Sequence, residues 1–174
     1  MRAGEKTVTI VQGDYAVSAD PAVVMSTVLG SCVSVCLFDA GAGVGGMNHF
    51  LLAMASETNA DDLKYGVNAM ELLINEVLRS GGRRAHLQAK LFGGARMNTN
   101  LNDIGASNAR FAQEFLSRES IPCLSQSLGS TMARRVRFTP TTGAAQQMQI
   151  AGPAPELLPV KRKTPPPEEA IMLF

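Results

Sequence analysis

Apolar and polar positions alternate along several short stretches of this chain, and twice they give way to a longer period. Residues 7–12 (TVTIVQ) and 15–19 (YAVSA) are β-branched or alternating with Gly13-Asp14 between them, which predicts a short N-terminal strand pair. Val33, Val35 and Leu37 alternate with Ser34, Cys36 and Phe38, and the glycines of DAGAGVGG lead into a second run, MNHFLL. That pattern predicts a β-hairpin-like unit with strands over 33–38 and 44–50. From Asp61 the period lengthens: Leu63, Val67, Met70, Ile74, Val77 and Leu78 recur at three- and four-residue steps, and Gly81-Gly82 ends the run. This is the signature of an amphipathic helix with one face against a core. LQAKLF (87–92) predicts a further strand ending at Gly93-Gly94. Ile104, Phe111 and Phe115 mark one face of a second helix, capped by Asn102 or Asp103 and closed before Pro122. IPCLSQSL, RRVRFTP and AAQQMQI read as two or three closing strands with a Thr-Thr-Gly turn at 141–143.

The predicted order is strands, helix, strand, helix, strands. Helices that do not alternate regularly with strands favour an α+β fold, an α/β sandwich with a mixed, mainly antiparallel sheet and two main helices, over a doubly wound parallel sheet. With 174 residues and no internal repeat the chain has length for one domain that needs neither metal nor disulfide to hold its core. From about Ala151 the composition turns Pro-rich and charged before ending in Ile171-Met172-Leu173-Phe174. The expected organisation is a folded domain over 1–150 and a flexible tail over 151–174.

Charge narrows the partner classes. A formal net charge of +1, with Lys and Arg scattered, lacks the concentrated basic face of a nucleic-acid or membrane-surface protein. Arg83-Arg84, Arg134-Arg135 and Lys161-Arg162-Lys163 read as short solvated runs. The start, MRAGEKTVTIVQ, has no apolar signal-peptide core, and no run approaches the ~18 apolar residues of a membrane span, so a cytoplasmic location is expected. Three cysteines, Cys32, Cys36 and Cys123, are an odd count for a disulfide framework, and each must be judged singly.

Cys32 and His49 draw the chemical interest. Each could be an ordinary buried side chain, but the hairpin returns the end of its second strand beside the start of its first, which brings His49 near Cys32. A thiol with a pKa of roughly 8.5 needs such a base to become a nucleophile at neutral pH. The Gly30-Ser31 turn ahead of Cys32 predicts an exposed thiol at a strand end, with backbone N–H groups left over for an oxyanion. An upstream hydroxyl, Ser26 or Thr27, could orient the imidazole as the third member of a triad. Zinc ligation by Cys32, Cys36 and His49 is disfavoured, because four residues of strand span ~13 Å, too far for two thiolates on one ion. Cys36 and Cys123 read as small buried hydrophobes, and His86 as a surface or strand-entry residue. Gly93-Gly94 serve either a tight turn or a close backbone approach. No phosphate-binding glycine loop is present, and neither cofactor nor metal is expected.

LGSCVSVCLFD, GGMNHFLL, KLFGGARMN and IGASNARF, in that order, resemble the chemoreceptor glutamine deamidases of bacterial chemotaxis (CheD), from about Thr7 to about Gly143. The resemblance implies a fold like the cysteine deamidase domains of certain bacterial toxins. It implies Cys32 and His49 as the catalytic pair and a hydroxyl six positions before the cysteine as the third residue. Ser26 stands there, with Thr27 beside it. The activity implied is protein-glutamine deamidation on the cytoplasmic domains of chemoreceptors through a thioester, with glutamate methyl esters as a second substrate. A CheC-type phosphatase is the implied partner. The rival reading is an adaptor whose main business is to bind that phosphatase, and a remoter one is a transglutaminase. In STMARRVRF, Ala133 stands where the family tends to have glycine.

Overall fold

The computed structural model describes residues 3–52, 60–97 and 103–151. Among them are strands β1 (Lys6–Thr9), β2 (Tyr15–Ser18), β3 (Val23–Leu29), β4 (Val33–Asp39) and β5 (Val44–Asn48), helix α1 (Ala60–Arg79) and strand β6 (Gln88–Gly93). Helix α2 (Ile104–Arg118) and strands β7 (Cys123–Leu128), β8 (Ala133–Thr139) and β9 (Ala144–Ile150) complete the order. Asp103 caps α2, its carboxylate accepting from the Ala106 N–H at 2.9 Å. The expected tail lies outside the described residues, apart from Ala151. Among the described residues no helix is long and apolar enough to cross a membrane.

The strands form two sheets rather than one. β2, β5, β4, β6 and β7 pair in that order, as do β1, β3, β8 and β9; β1–β3 and β6–β7 are parallel and the other pairs antiparallel. The five-stranded sheet is the middle layer. On one face Val33, Val35 and Leu37 of β4 pack under Met70, Leu73 and Val77 of α1 and Phe111, Ala112 and Phe115 of α2. On the other, Cys36, Phe38 and Met47 pack against Met25, Leu29, Val136 and Phe138 of the four-stranded sheet. Central strand β4 is therefore buried along its whole length, which is why it is apolar at both parities around Ser34.

Four expectations change here. β1 and β2 do not pair with each other: β1 runs beside β3 in one sheet and β2 beside β5 in the other, so the Val11–Asp14 turn is a crossing between layers. β3 was not expected at all, although Val23, Met25, Thr27 and Leu29 alternate inward along it. Arg134 is not solvated. It is 1% exposed on the inward parity of β8, and its guanidinium donates to the Ser127 and Gly129 carbonyls and the Ser127 hydroxyl. These bonds fasten the β7–β8 turn and offset part of the desolvation that lowers its pKa. Cys123, expected to be buried, is exposed at the start of β7, which among the described residues pairs with β6 alone and lies at the sheet's edge. Cys36 is buried and His86 exposed just before β6, as expected.

Candidate active site

The β4–β5 hairpin keeps one register from Cys36↔Met47 to the bridge Val33↔Phe50, where each residue's N–H donates to the other's carbonyl at 3.0 Å. Val33 and Phe50 face the helices. The neighbouring positions Cys32 and His49 therefore face the four-stranded sheet, as diagonal neighbours about 7–8 Å apart at Cα by strand geometry and within side-chain reach.

His49 is met across the layer by Thr27. Its Nδ1 lies 2.8 Å from the Thr27 Oγ1, and that hydroxyl donates its single proton to the Ile10 carbonyl at 2.6 Å. With its proton spent there, Oγ1 can only accept, so Nδ1 carries the ring proton and Nε2 is left as the free base. Nε2 is buried and has no hydrogen-bond partner among the described residues. Ser26 is placed otherwise. It lies on the outward parity of β3, paired with Arg137, and its carbonyl takes the Ile10 N–H. The expectation for Ser26 as the orienting hydroxyl is thus corrected: successive residues of a strand point to opposite faces, and the inward one is Thr27.

Cys32 also departs from expectation. It is not exposed but fully buried, with the Oε1 of Gln12 accepting from its Sγ at 3.8 Å. Burial pushes its pKa up to about 12, opposed weakly by its own backbone N–H. Burial likewise pushes the His49 imidazole down to about 4, against a smaller pull from the Ile10 carbonyl. At rest the pair is a neutral thiol beside a neutral imidazole, not a preformed thiolate.

The turn ahead of the cysteine is held by α2 and by the glycine pair. Asn108, fully buried on α2, donates from Nδ2 to the Ser31 carbonyl at 3.0 Å and accepts the Leu52 N–H on Oδ1 at 2.9 Å. One side chain thereby ties the segment before Cys32 to the segment after His49. Gly94 N–H donates to the Cys32 carbonyl at 2.8 Å, and Ala95 N–H to the Gly30 carbonyl at 2.9 Å. Gly93 has φ +113, and a Cβ there would run into the Cys32 carbonyl. The pair thus serves both roles weighed for it, a left-handed turn and a close approach, and what is approached is the chain's own cysteine. Among the described residues no carbonyl accepts from the N–H groups of Ser31 or Cys32. Gly94 also lines an open groove of about 550 Å³ with Arg96, Arg110, Gln113 and Leu128.

Asn108 and the Ile10 carbonyl were not singled out by sequence reasoning. Asn108 stood within IGASN, and only its burial separates it from a solvated helix residue. The role of Ile10 belongs to its backbone, which leaves no trace in the sequence. Thr27 was a named alternative, and the inward alternation of β3 is the signal that selects it.

Comparison with known proteins bears on this arrangement. The family model described as CheD chemotactic sensory transduction matches residues 51–149. A Ruegeria protein, named probable chemoreceptor glutamine deamidase CheD 1, is 57% identical over 145 residues, covering 83% of this chain and 78% of the relative. The chain belongs to the CheD family. A Caulobacter vibrioides CheD, named probable chemoreceptor glutamine deamidase, is 50% identical over 167 residues, 94% of this chain and 88% of its own. An Agrobacterium fabrum CheD of the same description is 49% identical, covering 87% and 84%. Among solved structures, a Neisseria meningitidis protein of the DUF152 family aligns with a TM-score of 0.50 at 11% identity, over 74% of this chain and 66% of that one. That likeness concerns the fold alone.

Proposed function

We propose that this CheD protein is a protein-glutamine deamidase acting on chemoreceptors, with Cys32 as nucleophile, His49 as general base and acid, and Thr27 as the residue that orients the ring. The observation that carries the reading is the Ile10–Thr27–His49 chain of hydrogen bonds, which leaves Nε2 unprotonated on the face shared with Cys32. The names of the relatives support the substrate class.

Cys32 Sγ attacks the carboxamide carbon of a receptor glutamine while its proton passes to Nε2 of His49. Thr27, accepting from Nδ1–H, stabilises the imidazolium that forms. The N–H groups of Ser31 and Cys32 hold the oxyanion. His49 then protonates the departing ammonia, and a thioester remains. Water enters, gives its proton to Nε2 and cleaves the thioester, leaving glutamate and the thiol. A glutamate methyl ester reacts by the same steps with methanol leaving. A substrate must reach a thiol that is closed at rest, and its approach provides the charge-stabilising contacts that the resting pair lacks.

Residues 1–150 form the catalytic unit, working in the cytoplasm on the signalling domains of receptors. A CheC-type phosphatase, implied by the family resemblance, is a binding partner and not the main business of the protein. The test is intact-mass analysis of a receptor cytoplasmic fragment incubated with wild-type or Cys32→Ala protein. Gains of about 1 Da per converted glutamine are expected with the wild type alone. No gain with the wild type, together with tight binding of the phosphatase, would favour the adaptor.

A further inference from the structure

The turn that covers Cys32 is anchored to the residues that surround it. Asp14 N–H donates to the Val11 carbonyl at 3.0 Å, closing a β-turn with Gly13 at φ +91, so Gln12 sits at the first corner. On one shoulder Ile10 bonds both the Thr27 hydroxyl and the Ser26 carbonyl. On the other, Gly13 N–H donates to the His49 carbonyl at 2.8 Å, and His49 N–H to the Asp14 carbonyl at 3.1 Å. Gln12 is exposed, yet its Oε1 accepts from the Cys32 Sγ at 3.8 Å. His49, so bonded to the turn, carries a buried Nε2 with no hydrogen-bond partner among the described residues. A primary carboxamide, the group that a glutamine deamidase attacks, is thus tethered against the thiol by a turn that three backbone pairs and the Thr27 hydroxyl hold in place.

We propose that Gln12 is an intramolecular substrate of Cys32 and is converted to glutamate in the folded protein. This rests on the deamidase reading above. Sγ bonds to the Gln12 Cδ as the thiol proton moves to His49, the C–N bond breaks with ammonia taking that proton, and water then cleaves the thioester. The Gln12 carboxamide and water become a glutamate carboxyl group and ammonia, and the thiol is regenerated. The tether supplies a high effective concentration, while attack needs the carbon within ~3–3.5 Å of sulfur, so the side chain must turn from its observed oxygen-first contact. The conversion is therefore slow beside that of a true substrate. It is also self-limiting, because the carboxylate formed at position 12, next to Cys32, disfavours the thiolate.

The full chain, freshly purified and after incubation at neutral pH, is digested and residue 12 read by tandem mass spectrometry. Cys32→Ala and Cys32→Ser proteins run in parallel, and a glutamine-containing receptor peptide is added to separate samples with ammonia release as readout. The expected result is a gain of about 1 Da at residue 12, roughly tenfold or more faster in the wild type than in either variant. Its rate should be independent of protein concentration, with the exposed Gln146, Gln147 and Gln149 lagging far behind. Peptide hydrolysis with residue 12 unchanged, or changing equally in all three proteins or in proportion to protein concentration, overturns the proposal and leaves the deamidase reading standing. If the wild type converts neither Gln12 nor the peptide, both fall.

Discussion

The two faces of the five-stranded sheet are built from one set of strands but hold different contents. The helix-side layer is an apolar cluster that includes Leu73, Met70 and Phe50, and its buried Asn48 and Asn108 each accept a backbone N–H on Oδ1. The layer between the sheets is apolar too, with Met25, Leu29, Phe38 and Phe138, yet it also buries Cys32, His49 and Thr27. A polar group in such a place costs stability unless it is paired. His49 satisfies Nδ1 through Thr27 and leaves Nε2 without a partner among the described residues, and desolvation displaces the pKa values of Cys32 and His49 away from neutrality. One face holds the fold together, and the other buries an imidazole and a thiol in their uncharged forms.

The largest expected effects set the two faces against each other. Cys32→Ala should abolish deamidation, a loss of ~10³-fold or more, while removal of one buried sulfur costs only about 1 kcal/mol of stability. Leu73→Ala, on the buried face of α1, should cost about 2–5 kcal/mol in denaturant titration and leave kcat per folded molecule unchanged. A Leu73→Ala protein that is stable but inactive would break the division of labour.

Next in size is the orienting hydroxyl. Thr27→Val keeps the shape but removes the acceptor for Nδ1–H, so kcat should fall about 10²-fold or more, with Thr27→Ser recovering most of it. Ser26→Ala should stay within about twofold, since its side chain is on the outward parity of β3. Kinetics on a receptor fragment decide this, and the reverse ranking would return the third position to Ser26.

The last effect is on stability against pH. Burial lowers the folded pKa of His49 from 6.5 to about 4, so the unfolded chain binds the proton more readily. The neutral ring's contribution is complete above pH 6.5 and is lost as the pH falls toward about 4. Over that window the wild type should lose stability, by up to a few kcal/mol, relative to His49→Gln measured in parallel urea titrations. Parallel curves would mean that the ring is hydrated and the layer less dry than the geometry indicates.

Much of this architecture was legible in residue order. The hairpin of β4 and β5, the amphipathic faces of α1 and α2, a cap for α2 at Asn102 or Asp103 and the β8–β9 pair all follow from local periodicity and turn chemistry. The hairpin register alone brought Cys32 and His49 to one face. Other features escaped because they depend on partners distant in sequence. The alternation of β1 and β2 is the same whether they pair with each other or with β3 and β5, so separate sheets could not be read from it. Arg134 looked solvated beside exposed Arg135, because the carbonyls that receive it belong to another strand and its turn. The burial of Cys32 needs both the Gln12 turn and the opposing sheet.

By itself, then, the sequence determined which residues alternate, where helices start and stop, and that a cysteine and a histidine share one face of a hairpin. Only the tertiary structure decided that Thr27 and not Ser26 meets the ring, and that the thiol rests protonated. The physical reason is that parity and period are properties of a few neighbouring residues. Burial and hydrogen-bond partnership are properties of the layer, formed only when two sheets close over the same side chains.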